Sequence, residues 1–368
     1  MSNSSNVVLH ICTHLSRTKK ALCRIPFWCV IILLFSAGCA TEQRASELYV
    51  DAVMLVELDE NEKAVEKLNS AVRLNKRFSL AYSLLGEIHQ QLKDYEKSAA
   101  SYEKATKLNP WSFKDYFNLG RVCEIMKKFA QAVKAYAKAC ELEPDHFDAH
   151  ISTAKCYYEI EDYNNALVYG ERAEQIDPNI SEVQKVLGDI YESQRDHNQA
   201  IAAYKRALEL DSNSPEIMTS LAVCYLRTNR SKCARELLTL AIQIQPDNNT
   251  AYQYLGYCHL QSYYQAISSY RRELETAGEE TELTASLKAK AYEAIEKALQ
   301  SYNRALAIND KDWKAYKGLG VAYVLKARAN EDESLKAKGV AQWRLSLKIK
   351  PDQPRREELL KLIRIYSK

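Results

Sequence analysis

Small and apolar residues recur along this chain with a period of 34 residues. Within one period, residues 79–112, they follow a helical spacing twice, first at Tyr82, Leu85, Gly86 and His89 and then at Tyr95, Ser98, Tyr102 and Ala105. Polar residues occupy most other positions, so each segment is predicted to be a helix with one apolar face. Two such faces in every period predict a tandem array of helix pairs.

Three series of small residues keep this spacing most strictly. They are Ala52, Gly86, Gly120, Ala154, Gly188, Ala222 and Gly256; Ala64, Ser98, Ala132, Ala166, Ala200 and Ala234; and Ala71, Ala105, Ala139, Ala173, Ala207 and Ala241. Small side chains at these positions allow paired helices to approach closely, because a larger side chain would hold them apart. Proline cannot continue a helix, so four prolines mark the ends of repeats: Pro110, Pro144, Pro178 and Pro246.

With the Leu-Gly dipeptides that begin at Leu85, Leu119, Leu187 and Leu255, these residues resemble the tetratricopeptide repeat family. The resemblance covers roughly residues 45–352. It implies an all-α fold, a right-handed α-solenoid of stacked antiparallel helix pairs (a TPR superhelix). It also implies a concave groove that takes an extended peptide or a partner helix.

The 34-residue spacing fails after Gly256. The next Leu-Gly pair, Leu319 with Gly320, lies four residues short of two periods, and residues 261–294 lack the repeat signature. We interpret this stretch as the end of a shortened seventh repeat and a degenerate eighth, which gives about nine repeats, seven of them in register. Seven extra residues near 329–335 predict a loop or an extended helix pair. Residues 353–368 predict an amphipathic helix that caps the array.

The N-terminal residues 1–38 have the composition of a signal peptide. They contain Arg17, Lys19, Lys20 and Arg24 and no acidic residue, and their apolar stretch at 27–37 is too short to span a bilayer comfortably. The small residues before Cys39 resemble the bacterial lipoprotein signal. That resemblance implies lipidation of Cys39, a short tether at residues 39–44 and a membrane-anchored position in the cell envelope, periplasmic or on the outer face. Ser36, where leucine is usual, departs from the signal, and an uncleaved N-terminal anchor is the alternative.

Composition and motifs argue against catalysis. The formal net charge is +3, and without the leader's basic residues the chain is close to neutral, which argues against general nucleic-acid binding. The six cysteines of the array lack the paired spacing of a zinc site and are expected to be buried thiols: Cys123, Cys140, Cys156, Cys224, Cys233 and Cys258. His146 and His150 are four residues apart, but no glutamate follows the first, so we expect structural roles. The sequence predicts no enzyme, no metal site and no cofactor.

The first helix of each pair is expected to line the groove, and its outward positions predict a partner-binding surface. These are Lys114, Asn118, Arg121, Ser152, Lys155, Lys185 and Asp189, followed by Gln253 and Tyr257 in a more aromatic section near Lys314 and Lys317. Four cations and one acid in the first section favour an acidic segment or a peptide carboxylate, although a solvated helix face is the alternative. The predicted function is a protein-interaction scaffold tethered to a bacterial envelope membrane. The alternative is a non-catalytic regulatory subunit of a membrane-associated enzyme or transporter.

Overall fold

The computed structural model describes the backbone of residues 27–367 and the side chains of residues 40–367. This part of the chain consists of helices joined by short turns and contains no strand. Its helices are α1 (Phe27–Glu57), α2 (Asn61–Leu74), α3 (Ser79–Gln91), α4 (Tyr95–Leu108), α5 (Phe113–Ile125), α6 (Phe129–Leu142), α7 (Phe147–Glu159), α8 (Tyr163–Ile176), α9 (Ser181–Ser193), α10 (His197–Leu210), α11 (Pro215–Arg227), α12 (Ser231–Ile244), α13 (Asn249–Ala277), α14 (Glu282–Ile308), α15 (Trp313–Asn330), α16 (Glu333–Ile349) and α17 (Arg356–Tyr366). The predicted fold class, an all-α solenoid, is confirmed.

The described part of the chain divides into two compact units, the first ending at Leu142 and the second beginning at Glu143. The first unit contains α1 to α6, and the second contains α7 to α17. In both units each odd-numbered helix up to α15 packs mainly on the helix that follows it. The repeating element is therefore the helix pair that the sequence predicts.

The turn inside each regular pair has the same backbone geometry. Six residues spaced 34 apart adopt a left-handed conformation with φ between 57° and 65°: Asp59, Lys93, Lys127, Glu161, Arg195 and Asn229. In the second pair the N–H of Asp94 donates to the carbonyl of His89 at 2.8 Å, and in the fifth the N–H of Asp196 donates to that of Tyr191 at 2.8 Å. These bonds close the first helix, and the side chains of Asp94 and Asp196 cap the second.

The close approach of paired helices depends on glycine facing tyrosine. A Cβ atom added to Gly86 would lie 2.8 Å from the ring of Tyr102, and one added to Gly120 would lie 2.5 Å from that of Tyr136. Where the first helix carries alanine, the equivalent partner is smaller, as at Ala52 with Leu68, Ala154 with Gly170 and Ala222 with Leu238. Tyrosine thus occurs at the second position only where the first is glycine.

The structure corrects the interpretation of the irregular segment. Where the sequence predicts a shortened repeat and a degenerate one, α13 and α14 form a single pair of 29 and 27 residues. Residues 257–277 contain no glycine or proline, so α13 continues until Gly278, whose φ of 72° ends it. The described residues thus contain eight helix pairs and a final helix, where the sequence predicts about nine repeats.

The last pair is lengthened and then capped. The extra residues extend both α15 and α16 on either side of a turn at Glu331, which has φ 54°. Helix α17 buries Leu359 and Ile363 against the cluster that contains Trp343, and the rings of Trp343 and Tyr366 lie 5.9 Å apart. This helix therefore covers the last apolar face of the second unit, as an end cap should.

The expectation of buried cysteines holds for five of the six. Cys123, Cys140, Cys156, Cys224 and Cys258 are buried, and burial raises the pKa of the Cys224 and Cys258 thiols to about 12. Cys233 is exposed near the start of α12. For this residue the expectation was wrong.

Part of the leader lies outside the described residues, namely residues 1–26 and every side chain up to and including that of Cys39. The backbone of α1 continues through residues 39–44, so the predicted tether is helical in this structure. No helix in the described residues combines the length and apolar character needed to cross a membrane.

Candidate functional site

The predicted groove residues are divided between the two units. Lys114, Asn118 and Arg121 lie on α5 in the first unit, and the other six lie on α7, α9 and α13 in the second: Ser152, Lys155, Lys185, Asp189, Gln253 and Tyr257. All nine side chains are partly or fully exposed. Each unit therefore presents its own part of the predicted surface.

Most of the predicted groove cations have acidic partners. The ammonium of Lys114 lies 2.9 Å from the carboxylate of Glu87, and Lys155 pairs with Glu182. Lys185 lies 3.2 Å from Asp189 and 3.0 Å from Glu216. These pairs mostly join the first helices of successive repeats, so they reduce the positive charge that the sequence predicts for this face.

A cavity of about 760 Å³ opens in the second unit between α11, α13 and α15, with Tyr302 of α14 at its base. Gln253 and Tyr257 line it, together with Lys314 and Lys317, which the sequence places near the aromatic section. The structure thus brings together the last part of the predicted surface. This cavity is the candidate functional site.

The base of the cavity is an enclosed tyrosine ring. Tyr302 is 3% exposed, and Cβ atoms added to Gly256 or Gly318 would collide with its ring from two neighbouring helices. Burial raises the pKa of this phenol well above its usual range, so the hydroxyl stays protonated at neutral pH. At the rim, Tyr257 is 46% exposed and Tyr264 is 52% exposed. The cavity therefore has a rigid base and accessible aromatic walls.

Its charged residues are all cations. Arg227, Lys314 and Lys317 line the cavity, and none of the described residues that line it is acidic. Burial, and to a smaller extent the charge of Arg355, lowers the pKa of Lys317 from its usual value. Lys314 lies 5.8 Å from the ring centre of Trp313. The charged side chains that line the cavity are therefore all positive.

One polar group in the lining is unsatisfied. The buried Oε1 of Gln261 has no hydrogen-bond partner among the described residues. An unpaired buried carbonyl oxygen costs the folded chain about 1–3 kcal/mol. The protein encloses this oxygen, so it is not counted among the groups that the cavity offers to a bound molecule.

The sequence missed Arg227, Gln261, Tyr264 and Trp313 as parts of this site. The 34-residue spacing ends at α13. When the residues of α13 and α14 are assigned to two different repeats, the ones that face α15 cannot be recognised from the sequence. The sequence does contain a signal for the residues on α13, because Gln253, Tyr257, Gln261 and Tyr264 follow one another at the spacing of one helix face.

The two candidate histidines have structural contacts. His146 caps α7 by accepting from the N–H of Ala149 at 3.3 Å, and Nε2 of His150 lies 2.9 Å from the carbonyl of Pro144. Burial lowers the pKa of His150. In the residues that the structure describes, no group of three or more His, Cys, Asp or Glu side chains could hold a metal ion.

Three segments match family models described as tetratricopeptide repeat: residues 80–110, 113–146 and 191–256. No curated protein sequence matches the chain significantly.

Several solved structures are similar. YrrB, a TPR protein with an unusual peptide-binding site, is 22% identical, with 51% of this chain and 96% of that chain covered and a TM-score of 0.46. A tetratricopeptide repeat protein from Parabacteroides merdae ATCC 43184 is 12% identical, with coverages of 76% and 99% and a TM-score of 0.48. MamA from Desulfovibrio magneticus RS-1 is 18% identical, with coverages of 46% and 96% and a TM-score of 0.44. The family models, together with the observed helix pairs, identify this chain as an α-solenoid that contains tetratricopeptide repeats.

Proposed function

We propose that this chain is a non-catalytic protein-binding scaffold whose cavity between α11, α13 and α15 takes an acidic segment of a partner protein. The observation that carries the proposal is the combination of aromatic walls, three cations and no acid among the described lining residues. Tetratricopeptide repeats support a protein partner, since stacked helix pairs commonly present such surfaces.

The lining matches the parts of an extended peptide. Tyr254, Tyr257 and Leu260 offer apolar contact for one side chain, while Lys314 and Lys317 attract a carboxylate. Pockets that enclose a small ligand typically have volumes of about 300–1,000 Å³, and the volume of this cavity lies in that range. The cavity therefore fits one or two anchor side chains of a larger partner.

The test is a selection from a random peptide library with the full chain in detergent. We expect enriched peptides to carry carboxylates next to an aromatic or aliphatic residue. Their Kd should rise about tenfold in the double variant Tyr257→Ala, Lys314→Gln, because an anchor contact and a charge-assisted contact are lost. Both residues are exposed, so the variant should fold.

The matched control is Tyr270→Ala, Lys311→Gln, which changes the same residue types outside the cavity. Its affinities should equal those of the unsubstituted chain. Peptides enriched without acidic residues, or equal affinities for the cavity variant, would contradict the proposal.

We further propose that the scaffold is tethered to a bacterial envelope membrane through Cys39. The support is the sequence: four basic residues, a short apolar stretch and small residues before this cysteine. We expect Cys39→Ala to abolish lipid labelling and to leave an unprocessed chain in a bacterial host, as seen by mass spectrometry of the N-terminus. Cys12→Ala is the control. Unchanged processing and membrane partition in Cys39→Ala would favour an uncleaved N-terminal anchor instead.

A further inference from the structure

A second cleft lies on the face of α13 opposite the candidate site. It runs between α12 and α14, and two adjoining cavities of about 340 and 560 Å³ share Arg235, Ser262 and Gln265 in their walls. On α13 the candidate site uses Tyr257 and Tyr264, whereas this cleft uses Ser262 and Ala266. The two sites are therefore separate.

The cleft is strongly basic. Arg230, Lys232, Arg235, Lys290 and Lys297 line it, and Glu293 is the single acid among its described lining residues. Glu293 lies 2.5 Å from Lys297, which leaves the other four cations as an uncompensated positive set within the lining. Like charges held together in one concave wall repel each other, and a bound anion would relieve that repulsion.

At one end of the cleft a cation occupies a position where three of the regular repeats carry an aspartate. The residue before the second helix of a pair is an aspartate that caps the helix in α4, α8 and α10. In α12 the same position is Arg230, which makes no side-chain cap. This end of the cleft is therefore positive where those three repeats are negative, a feature that it shares with Lys128 of the third pair.

Hydroxyl and amide groups lie between the cations. Nη1 of Arg235 lies 3.4 Å from Oγ of Ser262, and Ser269 and Gln265 lie along the same wall. His259 also faces the cleft. Burial, then the charges of Arg235 and Lys297, lower its pKa to about 4, so its ring is neutral at pH 7 and can still donate one N–H.

We propose that the cleft between α12, α13 and α14 binds a phosphoryl group, supplied either by a soluble phosphate or by the headgroup of an anionic lipid. A phosphoryl group presents several acceptor oxygens and up to two negative charges, which suits cations and hydroxyls arranged around a concave wall. Arg235 is central because it lines both cavities and can donate two parallel hydrogen bonds. The proposal does not depend on the protein-binding role of the candidate site.

The test measures binding of inorganic phosphate by calorimetry at low ionic strength, and the increase in co-sedimentation when phosphatidylglycerol is added to phosphatidylcholine vesicles, because the proposed lipid anchor binds both kinds of vesicle. The proteins are the full chain in detergent or reconstituted in vesicles, and its Arg235→Gln, Lys290→Gln and Arg206→Gln variants. Arg206 is an exposed α10 cation outside the cleft, so its variant matches the loss of charge. Thermal unfolding checks that each variant folds.

We expect Arg235→Gln to weaken binding about tenfold and Lys290→Gln to weaken it less, while Arg206→Gln leaves it unchanged. This pattern with inorganic phosphate identifies a soluble ligand. The same pattern with phosphatidylglycerol vesicles alone identifies a lipid headgroup. Absence of saturable binding to either probe, or equal loss in Arg235→Gln and Arg206→Gln, would overturn the proposal.

Discussion

Replacing Tyr302 with alanine is expected to lower the free energy of unfolding of the C-terminal repeats by about 3–5 kcal/mol. Its ring is enclosed by Gly256 of α13 and Gly318 of α15. Neither glycine has a side chain that could move into the space, so the truncation leaves a cavity where three helices meet. The protein could reduce the cavity only if these helices moved closer together. Helices α13 and α14 are each more than 25 residues long, so their mutual packing should resist that movement.

The measurement is urea unfolding monitored by circular dichroism. The midpoint and slope of the transition are compared with those of the unsubstituted chain. Repeat arrays can unfold in stages, so the effect should appear in the transition that includes α13 to α15. Tyr302→Phe keeps the ring and serves as the control, with a much smaller shift expected. Tyr264→Ala, at the exposed rim, should also shift the midpoint little. A wild-type midpoint for Tyr302→Ala would show that the ring does not fill this space.

Leucine in place of Gly120 is expected to destabilise the first unit by about 1–3 kcal/mol through overpacking. Even a Cβ atom at this position would lie 2.5 Å from the ring of Tyr136. Tyr136 is fully buried, and its hydroxyl donates to Glu124 at 2.7 Å, so the ring is held in place. The helices α5 and α6 must therefore separate to admit the new side chain. The effect is measured as a lower midpoint temperature in the thermal unfolding transition of the first unit.

A compensated variant tests the reason for this loss. The double substitution Gly120→Ala, Tyr136→Leu copies the combination that the chain already uses at Ala222 and Leu238. We expect Gly120→Ala alone to be destabilising and the added Tyr136→Leu to recover part of the loss, giving a favourable coupling energy. Additive effects would indicate that the two positions do not pack against each other.

The sequence predicts the regular pairs well because their local and tertiary requirements coincide. The small residue at Gly86, the apolar positions around it and the turn residues before Tyr95 all repeat at one spacing. A one-dimensional array needs only contacts between neighbours, so a period in the sequence is a period in space. The end cap at α17 follows from the same reasoning, since its apolar face has to cover Trp343.

The candidate site was predicted only in part. Gln253 and Tyr257 line the cavity, but Lys114 and Lys155 are ion-paired with neighbouring helices, and Arg227 and Trp313 were not predicted. Whether a surface lysine is available to a partner depends on the residue facing it from the next repeat. That residue is distant in the sequence and is identified only when the stacking is known.

By itself the sequence determined that this protein is a tandem array of helix pairs, because the spacing of small and apolar residues is a local property repeated along the chain. The tertiary structure decided how the irregular segment folds. Gly256 of α13 and Gly318 of α15 both face the ring of Tyr302 on α14, so three helices meet around one side chain beside the cavity. Such contacts join residues that have no fixed spacing in the sequence. Which residues meet is decided by how their side chains pack in three dimensions.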